Sequence, residues 1–587
     1  MSLLKSAGRL GALKERRVEV VMLRLRLYST SKAFRLLAGG VAGFIGLVIL
    51  LYFTSAHFQA GTSDSATVIL EGQAIANGQV LLHGWDLTSA SYWTSNALLD
   101  GIAVLLAGLR AGLLYAIPAV TSAVAILTGV LLAREGHPGW PGIAGGAAVV
   151  ALLAFSTPVM SFFFVGRGFH VSTAAYALLA FFALRKARFG WGWVLAVFMI
   201  AAGLLGDLLM IAYGVIPLLL AGLVASLRER RPLAGAVEFT AAAASVVLAV
   251  VAHLVFVALG TFRTEPAPSV ATFSQMITNL SHAPAYVASL LGLTNSVATS
   301  GGVPVQMSHI HGLDVANAIG AFCVLVCFVV ALVVLVVGLV RRRPQGHPVE
   351  GEPAPWPLHN VLVIAMVSSA TPFVYLAGPD GEGIRYLTVT VVFAVVLAGR
   401  TIAWAWPKRR KGTPARACAL VGTVLALGLV ASFGYAMSGP QMANTVTNLA
   451  AWLESHDLHE GVGGYWVASI TTVESGGAVK IRPVITERNG QIERYSNLSN
   501  VNWYEGRRFQ FLVEGAPSGY EGIRVATTTW EPPQHVFAIG PYRVLVWNHK
   551  VSVSISPLRS PRDAPPTRSA TCCLTSIPPG TSIRCLT

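Results

Sequence analysis

Few residues of this chain have the type and setting to do chemistry, and they are scattered along it. Asp64 stands in "GTSDSATVILEGQAIANG", directly after the first long apolar run. A carboxylate at the exit of a membrane helix can take the proton from an acceptor hydroxyl while a lipid-linked donor stays in the bilayer. It can equally begin a helix, because Ser63–Asp64 precedes a helical pattern and Asp caps well. His170 in "GRGFHVS" can serve as a base, bind a metal or hydrogen-bond a phosphate, or close a helix with no further task. Arg167 and Arg385 carry the planar fork that suits phosphate oxygens; the alternative is snorkelling at helix ends. Arg110 is a weaker case of the same kind. Asp207 in "LLGDLLM" interrupts an apolar stretch, where an acid is functional or caps the next helix. His83, Trp85 and Asp86 in "LHGWDL" have the makings of a sugar site, with Trp on a pyranose face. They also suit a turn whose Trp anchors at the lipid interface.

The usual motifs of soluble enzymes do not occur: no phosphate-cradling glycine loop, no nucleophile elbow, no HExxH. Of the six cysteines, Cys323, Cys327 and Cys418 lie in apolar runs and Cys572, Cys573 and Cys585 in a Pro-rich tail. None has zinc-ligand spacing.

The elements that must position these groups are membrane helices. The chain is 54% hydrophobic and only 12% charged, against about 25% charged in a soluble domain. Its net charge of +15 comes from short basic clusters between apolar runs, as the positive-inside rule expects, so no nucleic-acid partner is implied. Residues 1–36 form a basic cytoplasmic N-terminus, with Met22 an alternative start. The first run, about 37–56, reads as a signal anchor because no small-residue cleavage site follows it.

Residues 57–112 form a first outer loop. Its run "NALLDGIAVLLAGL" is too short to cross a membrane, and Leu98, Ile102, Leu105 and Leu109 recur at helical spacing. That pattern predicts a helix in the interface. With that reading, crossings follow at 113–133, 141–164, 169–184, 191–206, 208–227, 233–260, 314–340, 358–377, 386–406 and 415–437. The clusters "ARE", "RKAR", "RERR", "RRRP" and "KRRK" then all face the cytoplasm. The outer face receives 57–112, 166–170, the surroundings of Asp207, the long loop 261–313, 378–385 and everything beyond 440. The expected fold is mainly α, a polytopic membrane protein of about 11 transmembrane helices, with a small C-terminal extracytoplasmic α/β domain.

The transmembrane domain spans 37–439, the soluble domain 440–556, and a tail, 557–587, cannot bury a core. Within the soluble domain "QMANTVTNLAAWLESHDL" predicts a helix, while "YWVASI", "VKIRPVI", "RRFQFLV" and "RVLVW" predict strands. Its aromatic residues Trp466, Trp503, Tyr504, Trp530 and Trp547 suit either a glycan surface or a core. Glu238 and His253 share one helix but stand about 22 Å apart along it and form no joint site.

The order of basic N-terminus, first helix, Asp-bearing loop with interfacial helices, many crossings and soluble C-terminal domain resembles the GT-C superfamily of membrane glycosyltransferases, including the protein O-mannosyltransferase and aminoarabinose transferase types. The residues that carry the resemblance are "SDSATVILEGQAIANGQVLLHGWDL", then "YWTSNALLDGIAVLLAGLRAGLLYAIPAVTSAVAILTGVLLA", and more loosely "GIRYL" near the end of the membrane part. It covers the layout of roughly the first 230 residues. The resemblance implies a polyprenyl-phosphate sugar as donor and a glycan, lipid or protein acceptor at the outer face of a bacterial plasma (inner) membrane. It matches Asp64 to the first-loop catalytic acid. Family members often carry a second acid in the next outer loop, where this chain has His170; that departure bears on whether a divalent metal takes part. The rival readings are a transporter or flippase, which calls for repeated halves and midplane polar groups, and an inactive relative in the cell envelope.

Overall fold

The computed structural model describes residues 32–166, 169–185, 189–266, 269–293, 311–340, 358–376, 383–405, 413–442, 444–486, 492–515 and 530–553. Arg167, the basic segment 1–31 and the tail 557–587 lie outside them. The membrane part begins with α1 (Lys32–Phe58), α2 (Ser63–Ala76), strand β1 (Trp85–Leu87), a π-helical turn (Trp93–Ala97) and α3 (Leu98–Ala107). It continues with α4 (Leu113–Arg134), α5 (Trp140–Ala154), α6 (Pro158–Ser161), α7 (Phe169–Ala183), α8 (Trp191–Gly206), α9 (Ile216–Glu229) and α10 (Ala236–Ala258). After β2 (Arg263–Thr264) come α11 (Phe273–Leu290), α12 (His311–Val340), α13 (Leu358–Ser369), α14 (Thr371–Leu376), α15 (Ile384–Ala405) and α16 (Thr413–Met437).

Among the described residues, eight helices are long and apolar enough to cross a membrane. The protein is a multi-pass membrane protein. The remaining expected crossings differ in shape. Residues 141–164 form two helices bent by 85°, because Pro158 starts a new helix behind Thr157, whose side chain caps it. Helices α7 and α8, with 15 and 16 residues, reach about 23 Å at 1.5 Å per residue, short of a full hydrocarbon core. The bundle packs closely on small residues: a Cβ at Gly145 of α5 would stand 2.4 Å from the Gly399 carbonyl oxygen of α15.

Helix α3 forms where the helical spacing predicted one, over 10 residues. Its Ile102, Leu105 and Leu106 are exposed while Asp100, Gly101 and Val104 are buried. The long loop also holds α11, closed at its start by a capping box between Thr272 and Gln275. Phe273, Ile277 and Leu280 give that helix one exposed apolar stripe.

The C-terminal domain contains α17 (Val446–Ser455), β3 (Glu460–Gly463), α18 (Tyr465–Glu474), β4 (Lys480–Thr486), β5 (Ile492–Arg494), β6 (Ser499–Asn500), β7 (Phe509–Glu514), β8 (His535–Ile539) and β9 (Tyr542–Val551). Six strands make one sheet in the order β5-β4-β3-β7-β9-β8, with β3 parallel to both β4 and β7. Three of the four expected strands overlap β4, β7 and β9. "YWVASI" is instead the start of helix α18. Short apolar runs are ambiguous between the two periods, and here Val467, Ile470 and Val473 are buried at helical spacing.

The soluble domain is joined to the first outer loop. Strand β1 pairs with β6 on one side and β2 on the other, with Trp85 opposite Asn500 and Asp86 opposite Arg263. Ile69, Leu70, Trp85 and Trp93 share one apolar core with Leu449, Ile470, Phe511 and Val544. Residues within 57–112, the strand 263–264 and the C-terminal domain therefore pack together.

Candidate functional site

Asp64 is the second residue of α2, half-buried, but it is not the cap. That role falls to Thr62, whose Oγ1 accepts from the Ser65 amide at 3.3 Å. The Asp64 carboxylate instead accepts a hydrogen bond from the Tyr465 hydroxyl of α18. Loss of hydration pushes Tyr465 well above the phenolic range, and the charge and hydrogen bond of Asp64 push the same way. Tyr465 therefore stays a donor and fixes one carboxylate oxygen. A second bond, Thr67 Oγ1 to Ser469 Oγ at 2.9 Å, pins the two helices in register.

The second cluster assembles where three segments meet. Tyr92 precedes the π-helical turn in a left-handed conformation at φ 49°, a backbone state that is costly for a bulky residue and is often found at functional sites. Its amide donates to the Gly206 carbonyl at 2.8 Å, and Thr94 donates to Ala202 O at 2.6 Å. Both bonds strap the turn to the end of α8. Glycine is required there, because a Cβ at Gly206 would lie 2.6 Å from Thr94 Oγ1.

One residue on, Asp207 is 2% exposed and fully used. Its Oδ2 accepts from His170 Nδ1 at 3.0 Å and Thr173 Oγ1 at 2.8 Å, and its Oδ1 from the Leu209 amide at 3.0 Å. Both sequence readings of Asp207, cap and polar-site acid, describe parts of this arrangement. The Tyr92 hydroxyl stands 3.3 Å from the same His170 nitrogen.

With Nδ1 directed at a carboxylate, His170 keeps Nε2 for another partner. Its ring lies 5.3 Å from that of Tyr386, whose hydroxyl accepts from Arg385 Nη2 at 3.2 Å. Tyr92 registers the whole group. Loss of hydration pushes its hydroxyl well above the phenolic range, Asp207 adds to this, Arg385 opposes it, and Tyr386 and Asp64 add to it again. His170 and Asp207 thus form one hydrogen-bonded group with Tyr92, and Asp64 and Arg385 lie within electrostatic reach of that tyrosine. Three π-helical turns, Trp93–Ala97, Phe162–Gly166 and Ile211–Val215, adjoin this group, and such turns are frequent at functional sites.

His83, Trp85 and Asp86 stand elsewhere, on the sheet shared with the C-terminal domain. Asp86 is paired with Arg494 at 2.8 Å, both largely buried. Trp85 is 2% exposed and meets Trp503 edge to face at 4.9 Å. His83 is exposed, with Nε2 3.4 Å from the Leu259 carbonyl. Tyr92 and Tyr386 stand in the stretches "YWTSNALLDG" and "GIRYL" but are not singled out there, and Tyr465 lies in a run that reads as a strand; each is recognised by its partner.

Among the described residues, no three side chains of metal-binding type gather.

Fold and site define a multi-pass membrane protein whose polar cluster lies where the helix bundle meets an extramembrane α/β domain. No family model and no curated protein matches the sequence. Among solved structures, the chain is similar to ArnT from Cupriavidus metallidurans bound to undecaprenyl phosphate, at 12% identity and a TM-score of 0.48, over 86% of this chain and 98% of that one. Apo ArnT gives 13% and 0.42, over 87% and 98% of the two chains. The Archaeoglobus fulgidus oligosaccharyltransferase in complex with zinc and sulfate gives 11% and 0.41, over 80% and 67%.

Proposed function

We infer that the protein is a membrane glycosyltransferase that moves a sugar from a polyprenyl-phosphate carrier to a glycan, lipid or protein acceptor at the outer face of a bacterial plasma membrane. What supports this reading is the His170–Asp207 pair on Tyr92, with Asp64 held by Tyr465 of the C-terminal domain and, like Arg385, within electrostatic reach of Tyr92. In this arrangement an acceptor from water and a carrier held in lipid can meet.

Each group then has a task. Asp64, steadied on one oxygen by Tyr465, orients the acceptor hydroxyl with the other and takes its proton as the new bond to the sugar C1 forms. The bond from C1 to the phosphate oxygen breaks, and its electron pair leaves with the polyprenyl phosphate. Arg385 supplies a cation to that phosphate. Asp207 holds His170, whose free nitrogen can hydrogen-bond a phosphate oxygen. Arg167 completes the proposed anion contacts; it lies outside the described residues.

The test is discharge of sugars from labelled polyprenyl-phosphate donors by the purified chain in liposomes, with a bacterial envelope extract as acceptor. Label should move from the lipid phase to the acceptor with the native protein. Transport of intact donor across the bilayer without cleavage of the sugar–phosphate bond would favour the flippase reading instead.

A further inference from the structure

A second polar site lies at the other end of α2. A cavity of about 430 Å³, in the size range of small-ligand sites, opens between that helix and the C-terminal domain. Its walls include Gln73 and Asn77 from α2, Trp85 from β1, Lys480 and Arg482 from β4, and Trp503. A smaller cavity of about 100 Å³ shares Lys480, Arg482 and Trp503 and adds Arg507 and Glu460. Gln73 and Asn77 stand about 14–20 Å from Asp64 along the helix axis, so this is not the reaction centre.

The lining is specific in kind. Arg482 lies over the Trp503 ring at 4.3 Å from its centroid, and Trp85 meets that ring at 75°. Two indoles and a guanidinium thus make a corner. Neither Lys480 nor Arg482 forms an ion pair among the described residues. Loss of hydration pushes Arg482 down to about 10, a penalty that a bound anion would offset. The Trp85 indole nitrogen is buried and has no hydrogen-bond partner among the described residues, an arrangement that a protein interior normally avoids.

We propose that this cavity binds an anionic carbohydrate, a sugar unit bearing a carboxylate or phosphate, as a remote portion of the acceptor glycan. The cations take the charge. The amides of Gln73 and Asn77 supply both donors and acceptors for ring hydroxyls, and the half-buried Trp503 indole, backed by Trp85, takes the apolar ring face. The assignment of this ligand to the acceptor rests on the transferase reading; the site itself does not.

Binding to the full-length protein in detergent can be followed by calorimetry with trigalacturonate, neutral maltotriose and inorganic phosphate. Trigalacturonate should bind, with at least tenfold preference over both of the others. Lys480→Glu, at an exposed position that tolerates substitution, should weaken it at least tenfold, and Arg482→Gln likewise. Asp64→Asn should bind as the native chain does. Equal binding of maltotriose, equal binding of phosphate, no binding, or an unchanged Lys480→Glu would each overturn the site. A protein that binds trigalacturonate but discharges no lipid-linked sugar would keep the site and lose the transferase; the reverse result would do the opposite.

Discussion

Asp64 and Glu71 sit on the same helix, about 10 Å apart along its axis, and their surroundings could hardly differ more. Asp64 is half-buried, held by Tyr465 and within electrostatic reach of Tyr92. Glu71 is fully buried with neither oxygen hydrogen-bonded among the described residues, and it faces Asp100, whose Oδ1 is also without a partner. Burial pushes the Glu71 carboxyl well above the usual carboxylate range, and Asp100 pushes it further. Deep burial therefore does not by itself mark the acid placed to work. A catalytic carboxylate needs an orienting donor and a side open to substrate; Glu71 has neither, and its burial favours the neutral form.

Three substitutions sharpen or break that contrast. Asp64→Asn should lower turnover about 10²–10⁴-fold, the usual worth of general-base assistance, with donor binding and expression preserved. Because Thr62 caps the helix, no cap is lost; undiminished turnover would remove Asp64 from the chemistry. Arg385→Lys should weaken donor use by about tenfold despite the retained charge, since an ammonium cannot offer the planar fork. Equal donor KM would return Arg385 to a helix-end role.

Glu71→Gln should leave turnover unchanged and alter only stability. A carboxyl whose folded pKa is raised binds its proton more tightly folded than unfolded. The native chain therefore loses stability as pH rises from about 4.5 toward the folded pKa, by up to about 1.4 kcal/mol per pH unit. The variant should match the native melting temperature near pH 4 and exceed it increasingly toward pH 7. A constant difference across that range would mean that Glu71 is not held neutral.

The fold was largely legible because hydropathy records the solvent of each segment. Long apolar runs, a short interfacial run and a polar C-terminal part all appeared as such. Local geometry was not: Pro158 turned one expected crossing into two bent helices, and "YWVASI" took the helical period once α2 packed on it. Asp64, His170, Asp207 and Arg385 could each be singled out by type and position. Their grouping could not. His170 and Asp207 lie 37 residues apart, and bonds such as Tyr92 to Gly206 and Thr94 to Ala202 bring the first loop against them. An acid does stand beside "GRGFHVS" in space: Asp207 accepts from His170. Asp86, by contrast, looked like part of a sugar site and is the partner of Arg494, a pairing 408 residues apart that no local pattern records.

The central claim is that the Asp64–Tyr465 and His170–Asp207 pairs belong to one catalytic unit. A double-mutant cycle in the liposome assay tests it, with turnover measured for Asp64→Asn, Asp207→Asn and both together. Residues acting as a unit lose far less in combination than the product of their separate losses. The double variant should be scarcely slower than Asp64→Asn alone. A loss equal to the product of the two single losses would show two independent sites and contradict the account.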